Sequence, residues 1–325
     1  MSQPNNILTL ATGKKLYVDM AANLVRSFIF WNKNTGITFY LATDLPQFIP
    51  DDIKASIKII ELKPDELGKG FSPKLHLDKL APAGQTLFID SDCLIYGDLM
   101  PVFNKFKGHK VSVIGSYIAK GEWFGDVAAI CEQFNVEHLP KFNGGVYYIE
   151  NGPEATRVYE TARALESRYD EIGFVRLRNR PNDEVLMALA IQLSGQKPIS
   201  DEGTILAEFV NFQSGIQSDL VMGKAKLYNT ALHPNYQESW PLNVAEPLIV
   251  HFLGHHNQIL PYTKEVSILR YLSRDKYSVA KARLLTALKI TLPSQLKTRF
   301  KQLLRPIYRM VMGTRRVKTS NRIID

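Results

Sequence analysis

The chain has 325 residues, of which 45% are hydrophobic and 22% are charged, so its composition excludes a disordered chain and allows one large core or two modest ones. It lacks an apolar run of about 20 residues, a signal-peptide pattern and a set of cysteines for a disulfide framework, so we expect a protein of the reducing cytoplasm. The net charge of +8 is concentrated in residues 276–325, which contain 13 Lys or Arg and one acidic residue.

Strands and helices alternate along most of the chain. Apolar runs of strand length end in polar or glycine residues, and the segments between them place apolar residues at helical spacing. This alternation predicts an α/β fold with a doubly wound, mainly parallel sheet. The predicted elements are strands at 7–11, 37–42 and 56–62, a strand that ends at Asp90, strands at 111–115, 142–149 and 248–252, a short helix with Ser72 as its N-cap, and helices at 17–31, 153–169 and 182–193.

Polar residues follow three of the predicted parallel strands. Thr12 and Gly13 come after the first strand, Asp44 after the second, and the Asp90–Asp92 segment after the strand at 87–89. In open sheets of this kind, ligands bind outside the carboxyl ends of the strands. We therefore expect these residues to converge on one site.

The stretch LFIDSDCLIYGDL, residues 87–99, places two carboxylates directly after a buried strand. Asp90 and Asp92 are costly beside a core unless a positive group meets them. A D-x-D step can present oxygen ligands to Mg²⁺ or Mn²⁺, and a nearby imidazole favours Mn²⁺. Alternatively, both aspartates serve only the turn after the strand.

The neighbouring motifs favour a metal site. The blocks FSPKLHLDKLAPAGQTLFIDSDCLIYGDL, FNGGVYYIE, NDEVLM and HFLG occur in this order. Over roughly residues 7–262 this series resembles the GT-A glycosyltransferases, and most closely the family 8 type, which includes glycogenin-like enzymes and bacterial lipopolysaccharide galactosyl- and glucosyltransferases. The resemblance implies a GT-A fold and metal-dependent transfer of a sugar from a UDP-sugar to a cell-surface glycan or glycolipid, with retention.

The same resemblance implies a role for each matching residue. Asp90, Asp92 and His251 would hold Mn²⁺ or Mg²⁺, and Asp183 and Glu184 would be catalytic. The donor would be bound by residues from both halves of this region: Ala11, Thr12, Tyr17, Lys74, Asp90, Ser91, Asn143, Gly144 and Gly254.

Several of these residues also allow structural interpretations. His251 could be a core histidine, Asp183 could cap its helix, and Tyr17 could be a core aromatic residue. Cys93 and Cys131 are expected to be small buried hydrophobic residues, and Asp98 is expected to cap a helix that begins at Leu99.

The chain departs from the family pattern at three places. The loop after the first strand has Gly13-Lys14-Lys15 where the family has an acidic residue, and Glu184 replaces a glutamine. Asn257 and Gln258 replace the Lys-Pro step after H-F-x-G, so Lys74 or Lys264 would have to supply the missing cation. These departures leave open a catalytically silent relative that acts as a scaffold.

The basic C-terminal segment predicts a second part of the chain, with a catalytic domain at 1–270 and a tail at 271–325. Apolar residues from Leu296 to Val311 recur at helical spacing among Lys and Arg residues, and Pro306 is expected to kink this helix. Such a helix suits an anionic membrane surface. The alternatives are a helix docked on the body and a nucleic-acid-binding tail; we expect no nucleic acid because the tail lacks regularly interleaved aromatic residues and the body is net acidic.

Another enzyme class shares this kind of sheet. Sugar nucleotidyltransferases normally open with a glycine-rich, arginine-containing loop after the first strand. The sequence ILTLATGKK has no such loop. The motifs therefore favour a glycosyltransferase over a nucleotidyltransferase.

Overall fold

The computed structural model describes residues 3–238 and 240–313. The chain forms two compact units, residues 1–254 and 255–325. The last part of the predicted tail, residues 314–325, lies outside the described residues. The division at 270 remains a prediction.

The first unit contains the strands. Those in the described residues are, in chain order, β1 Asn5–Leu10, β2 Thr38–Thr43, β3 Lys58–Glu61, β4 Gln85–Ile89, β5 Cys93–Ile95, β6 Val111–Ile118, β7 Leu139–Glu150, β8 Leu206–Glu208, β9 Gly215–Asp219, β10 Lys224–Tyr228, β11 Val244–Ala245 and β12 Ile249–His251.

Helices lie between the strands and form most of the second unit. The α-helices in the described residues are α1 Lys15–Asn32, α2 Asp51–Lys54, α3 Leu77–Leu80, α4 Met100–Phe106, α5 Val127–Phe134, α6 Pro153–Glu166, α7 Asp183–Leu193, α8 Tyr262–Ser273, α9 Val279–Thr286 and α10 Leu292–Met312. Short 3₁₀ turns cover Pro46–Phe48, Ser72–His76, Phe209–Asn211, Leu220–Met222 and Gly254–Gln258, and a π-helical turn covers Ala287–Thr291.

The central sheet has six strands in the order β3-β2-β1-β4-β7-β6. β3, β2, β1 and β4 are parallel to one another, and β7 runs antiparallel to both β4 and β6. The predicted α/β fold with a mainly parallel sheet is confirmed.

Alternation along the central strands divides the core between the two faces of the sheet. In β4, Leu87 and Ile89 pack with residues of α1 and α4, whereas Phe88 packs on the opposite face with residues of α6 and α7. Because both faces are covered by helices, the apolar runs of these strands are nearly continuous. The polar residues that follow them therefore stand out at the ends of the strands.

A second sheet of the first unit extends the region around the D-x-D turn. It has three strands in the order β5-β12-β8. His251 pairs with Cys93 on one side and with Glu208 on the other. Paired residues on neighbouring strands face the same side of a sheet, so these three side chains form a row.

Two helix starts differ in how well they were predicted. Ser72 is not the N-cap of its helix: Phe71 precedes the 3₁₀ turn, and the Ser72 hydroxyl donates a hydrogen bond to Glu166. This side chain is used for tertiary packing instead. Asp98, by contrast, accepts a hydrogen bond from the Met100 amide at 2.9 Å, but α4 begins at Met100 with Leu99 at the N-cap position, one residue later than predicted.

The second unit contains α8, α9 and α10. Pro306 lies inside α10 without ending it. In the described part of the chain, no helix combines the length and the hydropathy that a bilayer crossing requires.

Candidate active site

The D-x-D turn begins where β4 leaves the central sheet. The Asp90 amide donates a hydrogen bond to the Gly145 carbonyl at 2.9 Å, and the Cys93 amide donates to the Asp90 carbonyl at 3.0 Å. These bonds close a tight turn between β4 and β5. The Asp90 and Asp92 side chains are 20% and 18% exposed, so both carboxylates reach a partly open edge of the core.

His251 ends β12 and faces both aspartates. Its Nε2 lies 3.0 Å from Asp92 Oδ1 and 3.8 Å from Asp90 Oδ2. Its Nδ1 lies 2.8 Å from Asn143 Oδ1, which also accepts a hydrogen bond from the Gly145 amide. Asn143 Oδ1 is a hydrogen-bond acceptor, so His251 Nδ1 must carry the proton of the bond between them. The other ring nitrogen, Nε2, faces the carboxylates.

Gly145 leaves the space in which the imidazole lies. A Cβ at this position would be 2.6 Å from His251 Nδ1 and 3.0 Å from Asn143 Oδ1. Real Cβ atoms do not approach ring nitrogens this closely. The second glycine of FNGGV is therefore required by the position of His251.

Lys74 is the positive group that meets Asp90. Its Nζ lies 2.7 Å from Asp90 Oδ2, 2.8 Å from the Gly144 carbonyl and 3.8 Å from Asp183 Oδ2. Burial alone would lower the pKa of Lys74, but the charges of Asp183 and Asp90 outweigh it and raise the pKa. The ammonium therefore stays charged and links the D-x-D turn to the start of α7.

Asp183 and Glu184 stand at the first turn of α7. Asn182 caps this helix by accepting a hydrogen bond from the Glu184 amide at 2.9 Å, so the interpretation of Asp183 as the cap is wrong. Asp183 is buried and accepts a hydrogen bond from the Tyr147 hydroxyl at 2.6 Å. Glu184 Oε1 accepts one from the Gly144 amide at 2.8 Å.

The pKa values of Asp90, Asp92 and Glu184 are shifted in different ways. Burial raises the pKa of Asp90 and, with the charge of Asp183, raises the pKa of Glu184 to about 7. Burial alone would also raise the pKa of Asp92, but the charge and hydrogen bond of His251 outweigh this effect and lower the pKa. Burial would lower the pKa of His251, and Asp92 raises it overall. Asp92 and His251 thus behave as an ion pair.

The donor set fits a divalent cation. Two carboxylates and an imidazole nitrogen converge, and the other ring nitrogen is held by an amide oxygen, as is usual for histidines that bind metals. The ligand atoms of Asp92, Cys93 and His251 lie within 4.8 Å of one another. Cys93 is buried, as expected, but its thiol also borders this cluster, a position that its sequence context does not predict.

The predicted nucleotide-binding residues lie at the ends of β1 and β2. The Gly13 amide donates to the Asp44 carboxylate at 2.9 and 3.2 Å, which holds the two strand ends together near Ala11 and Thr12. Tyr17 is 39% exposed, so its interpretation as a core residue is wrong. In the described part of the chain, no hydrogen bond joins the Tyr17 side chain to the aspartate cluster.

Two predicted donor residues take other positions. Ser91 lies in the D-x-D turn itself and is partly exposed. Gly254, with φ of 67°, begins the turn after β12. Ligand contacts by these residues remain predictions.

Three residues that contact or adjoin His251 and Asp183 were not predicted from the sequence: Gly145, Tyr147 and Glu208. Gly145 and Tyr147 could have been found, since they alternate with Asn143 along β7 and so point to the same face. Glu208 gives no comparable signal, because β8 is three residues long. Glu208 is buried beside His251, accepts a hydrogen bond from Asn211 at 2.9 Å, and has its pKa raised by burial.

Comparisons with known proteins give structural likenesses only. No family model matches the chain, and no curated protein matches its sequence. Among solved structures, the chain is similar to the galactosyltransferase LgtC in complex with donor and acceptor sugar analogues, with 13% identity and a TM-score of 0.48; the match covers 90% of this chain and 99% of that one.

Two further likenesses are to the glycosyltransferase GlyE of Streptococcus pneumoniae TIGR4 and to mouse xyloside xylosyltransferase 1. GlyE has 16% identity and a TM-score of 0.46, over 77% of this chain and 55% of that one. The mouse protein has 14% identity and a TM-score of 0.43, over 63% of this chain and 87% of that one.

Proposed function

We propose that this chain is a metal-dependent glycosyltransferase that moves a sugar from a UDP-sugar to a hydroxyl of a cell-surface glycan or glycolipid, with retention. The observation that supports this most is the continuity of the polar network. Lys74 joins Asp90 of the D-x-D turn to Asp183 of α7, and the Gly144 backbone contacts both Lys74 and Glu184. A metal site and a second pair of carboxylates are thereby held in one arrangement.

Asp90, Asp92 and His251 would hold Mn²⁺ or Mg²⁺. A cation bound by these residues would stabilise the negative charge that develops on the leaving diphosphate. The hydrogen bond from His251 Nδ1 to Asn143 keeps Nε2 directed at the aspartates. Asn143 is thus a positioning residue for the imidazole.

The residues of α7 would act on the sugar. Asp183 is held by the Tyr147 hydroxyl and by Lys74, so it can accept hydrogen bonds from sugar hydroxyls in a fixed position. Glu184 is held by the Gly144 amide. Its ionised carboxylate would favour the positive charge that develops at the anomeric carbon.

The function can be tested by measuring UDP binding by calorimetry, with and without Mn²⁺. We expect the wild type to bind UDP only with Mn²⁺, and Asp92→Asn to lose this binding by at least 100-fold, because one charged ligand and the partner of His251 are removed. Asp98→Asn is the matched control, since Asp98 lies at the start of α4 outside the network. Equal Mn²⁺-dependent binding by the wild type and Asp92→Asn would contradict the site.

A catalytically silent relative is the second candidate. The observation that favours it is Glu184, which stands where the family has a glutamine. Slow hydrolysis of UDP-sugars by the wild type, lost in Asp92→Asn, supports the enzyme. Tight UDP binding with no turnover of any UDP-sugar supports the scaffold.

We also propose that the second unit binds an anionic membrane surface. An apolar stripe runs along α9, the π-helical turn and α10, and its described residues are exposed: Leu284, Leu288, Leu292, Leu296, Phe300, Leu303, Leu304 and Tyr308. Lys297, Arg299, Lys301 and Arg305 flank the stripe on α10, and no acidic residue lies between 276 and 324. This combination suits a helix that lies in a lipid headgroup region.

A further inference from the structure

A tight hairpin precedes the catalytic pair of α7. Leu177 and Arg180 exchange two backbone hydrogen bonds of 2.9 and 3.0 Å, so Arg178 and Asn179 form a two-residue turn. Both central residues are left-handed, with φ of 53° and 60°. Such turns favour Asn-Gly, and an arginine at the first position is strained. Arg178 is also exposed, so packing does not explain this conformation.

The base of the hairpin is anchored on both sides. The Val175 amide donates to the Phe124 carbonyl at 2.9 Å, and the Val175 carbonyl accepts from the Tyr169 hydroxyl at 3.0 Å. Arg176 donates two hydrogen bonds to Asp170, at 2.8 and 2.6 Å. The positive charge of Arg176 is therefore already neutralised, and the hairpin tip is held in place.

Arg180 lies over the segment that leads to Lys74. A Cβ on Gly70 would be 2.5 Å from Arg180 Cδ and 3.2 Å from its Nη1, so the side chain lies directly over the glycine backbone. Gly70 comes just before the 3₁₀ turn that contains Lys74, and Arg180 comes three residues before Asp183. The guanidinium is thus placed where the segment that leads to Lys74 meets the segment that leads to Asp183.

Neither Arg178 nor Arg180 forms an ion pair within residues 3–238 and 240–313. The nearby acidic residues have their own partners: Asp65 pairs with Lys69, Asp170 with Arg176, Glu171 with Arg168, and Glu166 accepts from Ser72. Two arginine side chains of this hairpin therefore carry positive charges that no ion pair within the described residues neutralises. A guanidinium presents its donors in a planar fork that matches a carboxylate or a phosphate.

We propose that Arg178 and Arg180 form a subsite for an anionic group, a carboxylate or a phosphate, on the acceptor sugar. This inference rests on the proposed glycosyltransferase function. The position of the arginines in the chain favours the acceptor over the donor. Arg180 comes three residues before Asp183, whereas the D-x-D turn is contacted by Lys74 through Asp90. The donor diphosphate belongs with the D-x-D turn.

The test compares charged and neutral sugars as probes. Binding of glucuronate, glucose 6-phosphate and glucose is measured by NMR in the presence of UDP and Mn²⁺. We expect the wild type to bind one of the two anionic sugars at least 10-fold more tightly than glucose. Comparison of glucuronate with glucose 6-phosphate then shows whether the subsite prefers a carboxylate or a phosphate.

The variants are Arg178→Gln, Arg180→Gln, Arg180→Lys and the double glutamine variant. Each glutamine is expected to reduce binding of the preferred anionic sugar about 5-fold or more, and the double variant to remove the preference over glucose. Arg180→Lys should retain part of the preference for the anionic sugar, since lysine keeps the positive charge but lacks the planar guanidinium fork. Arg168→Gln is the matched control, because Arg168 is exposed and already pairs with Glu171 at 3.2 Å.

Two results would overturn the inference. One is equal binding of charged and neutral sugars by the wild type. The other is a loss of UDP affinity in Arg180→Gln, which would assign this guanidinium to the donor. Failure of the proposed function can be told apart from failure of this inference. If the proposed function is wrong, the wild type binds no UDP, and the preference among the three sugars can still be measured without it.

Discussion

The ammonium of Lys74 explains how a buried strand can end in two acidic residues. It lies 2.7 Å from Asp90 and 3.8 Å from Asp183, and each of these carboxylates also has a second contact: Asp90 lies near His251, and Asp183 accepts from Tyr147. A buried charge is tolerated when it is paired and hydrogen-bonded. The network is therefore stable as a set and sensitive to the removal of any member.

Glu184 should make stability depend on pH. Its native pKa of about 7 lies above the usual value of 4.5, so the folded chain keeps a proton that the unfolded chain releases near pH 4.5. Between these values the native state binds more protons, and stability therefore falls as the pH rises. From pH 5 to pH 8 we expect this carboxyl to lower the free energy of unfolding by about 2 kcal/mol.

Urea denaturation of the wild type and Glu184→Gln across this pH range measures the effect. The glutamine variant should show a flatter pH profile, since it has no proton to lose. Parallel profiles for the two proteins would mean that Glu184 is already ionised at pH 5.

At the scale of elements, β7 organises the site. It contributes Asn143 to hold the imidazole, backbone groups of Gly144 for Lys74 and Glu184, and the space at Gly145. Its partner strand β4 ends in the D-x-D turn. A single strand thereby sets the positions of both halves of the site.

Gly145→Ala is therefore expected to weaken metal binding while the fold remains. The added Cβ would meet His251 Nδ1 at 2.6 Å, so the ring must leave the position in which Nε2 faces the aspartates. Loss of such ligand positioning typically lowers metal affinity 10- to 100-fold. Mn²⁺ titration followed by electron paramagnetic resonance measures this change.

Gly215→Ala is the control for that substitution. Its nearest neighbour would be 3.7 Å from the new Cβ, an ordinary contact. It should therefore leave Mn²⁺ affinity within about 2-fold of the wild type. Unchanged affinity in Gly145→Ala as well would show that His251 is not a ligand.

Long periodic elements could be predicted from the sequence, whereas of the three-residue strands only β12 was predicted. The strands β1, β2 and β4 and the helices α1, α6 and α7 have patterns long enough to identify them. The sheet β5-β12-β8 consists of three-residue strands. Its partners are set by tertiary pairing, which explains why the row of Cys93, His251 and Glu208 was not foreseen.

The same limit applies to the site. The D-x-D turn and His251 carry recognisable chemistry at identifiable strand ends. The role of Asn143 beside the imidazole could not be predicted, because it depends on a contact between residues 108 positions apart. The hairpin at Arg178 was missed because its sequence lacks the usual glycine of a tight turn.

At the scale of the whole molecule, the charge is divided between a net acidic body and a basic C-terminal segment. Replacement of Leu296, Phe300 and Leu303 by glutamine together should reduce binding to vesicles that contain phosphatidylserine by at least 10-fold, since these exposed side chains would enter the headgroup region. Cosedimentation with such vesicles measures binding. Added salt should weaken it for every variant, because the flanking cations contribute electrostatically.

Leu232→Gln is the matched control, since Leu232 is 97% exposed and lies in the first unit. It should leave vesicle binding unchanged. Equal binding by the triple variant and the wild type would contradict the membrane proposal. Filter binding of an oligonucleotide in parallel would show whether the basic segment prefers nucleic acid.

The segments that would bind the cation are far apart along the chain. Asp90 and Asp92 follow a strand of the central sheet, whereas His251 ends a strand of the second sheet. An ion shared by them would fasten the D-x-D turn to β12, two segments that are distant along the chain, and it would be released on unfolding. Chelation should therefore shorten the half-life of the folded chain against a protease, even when no nucleotide is present.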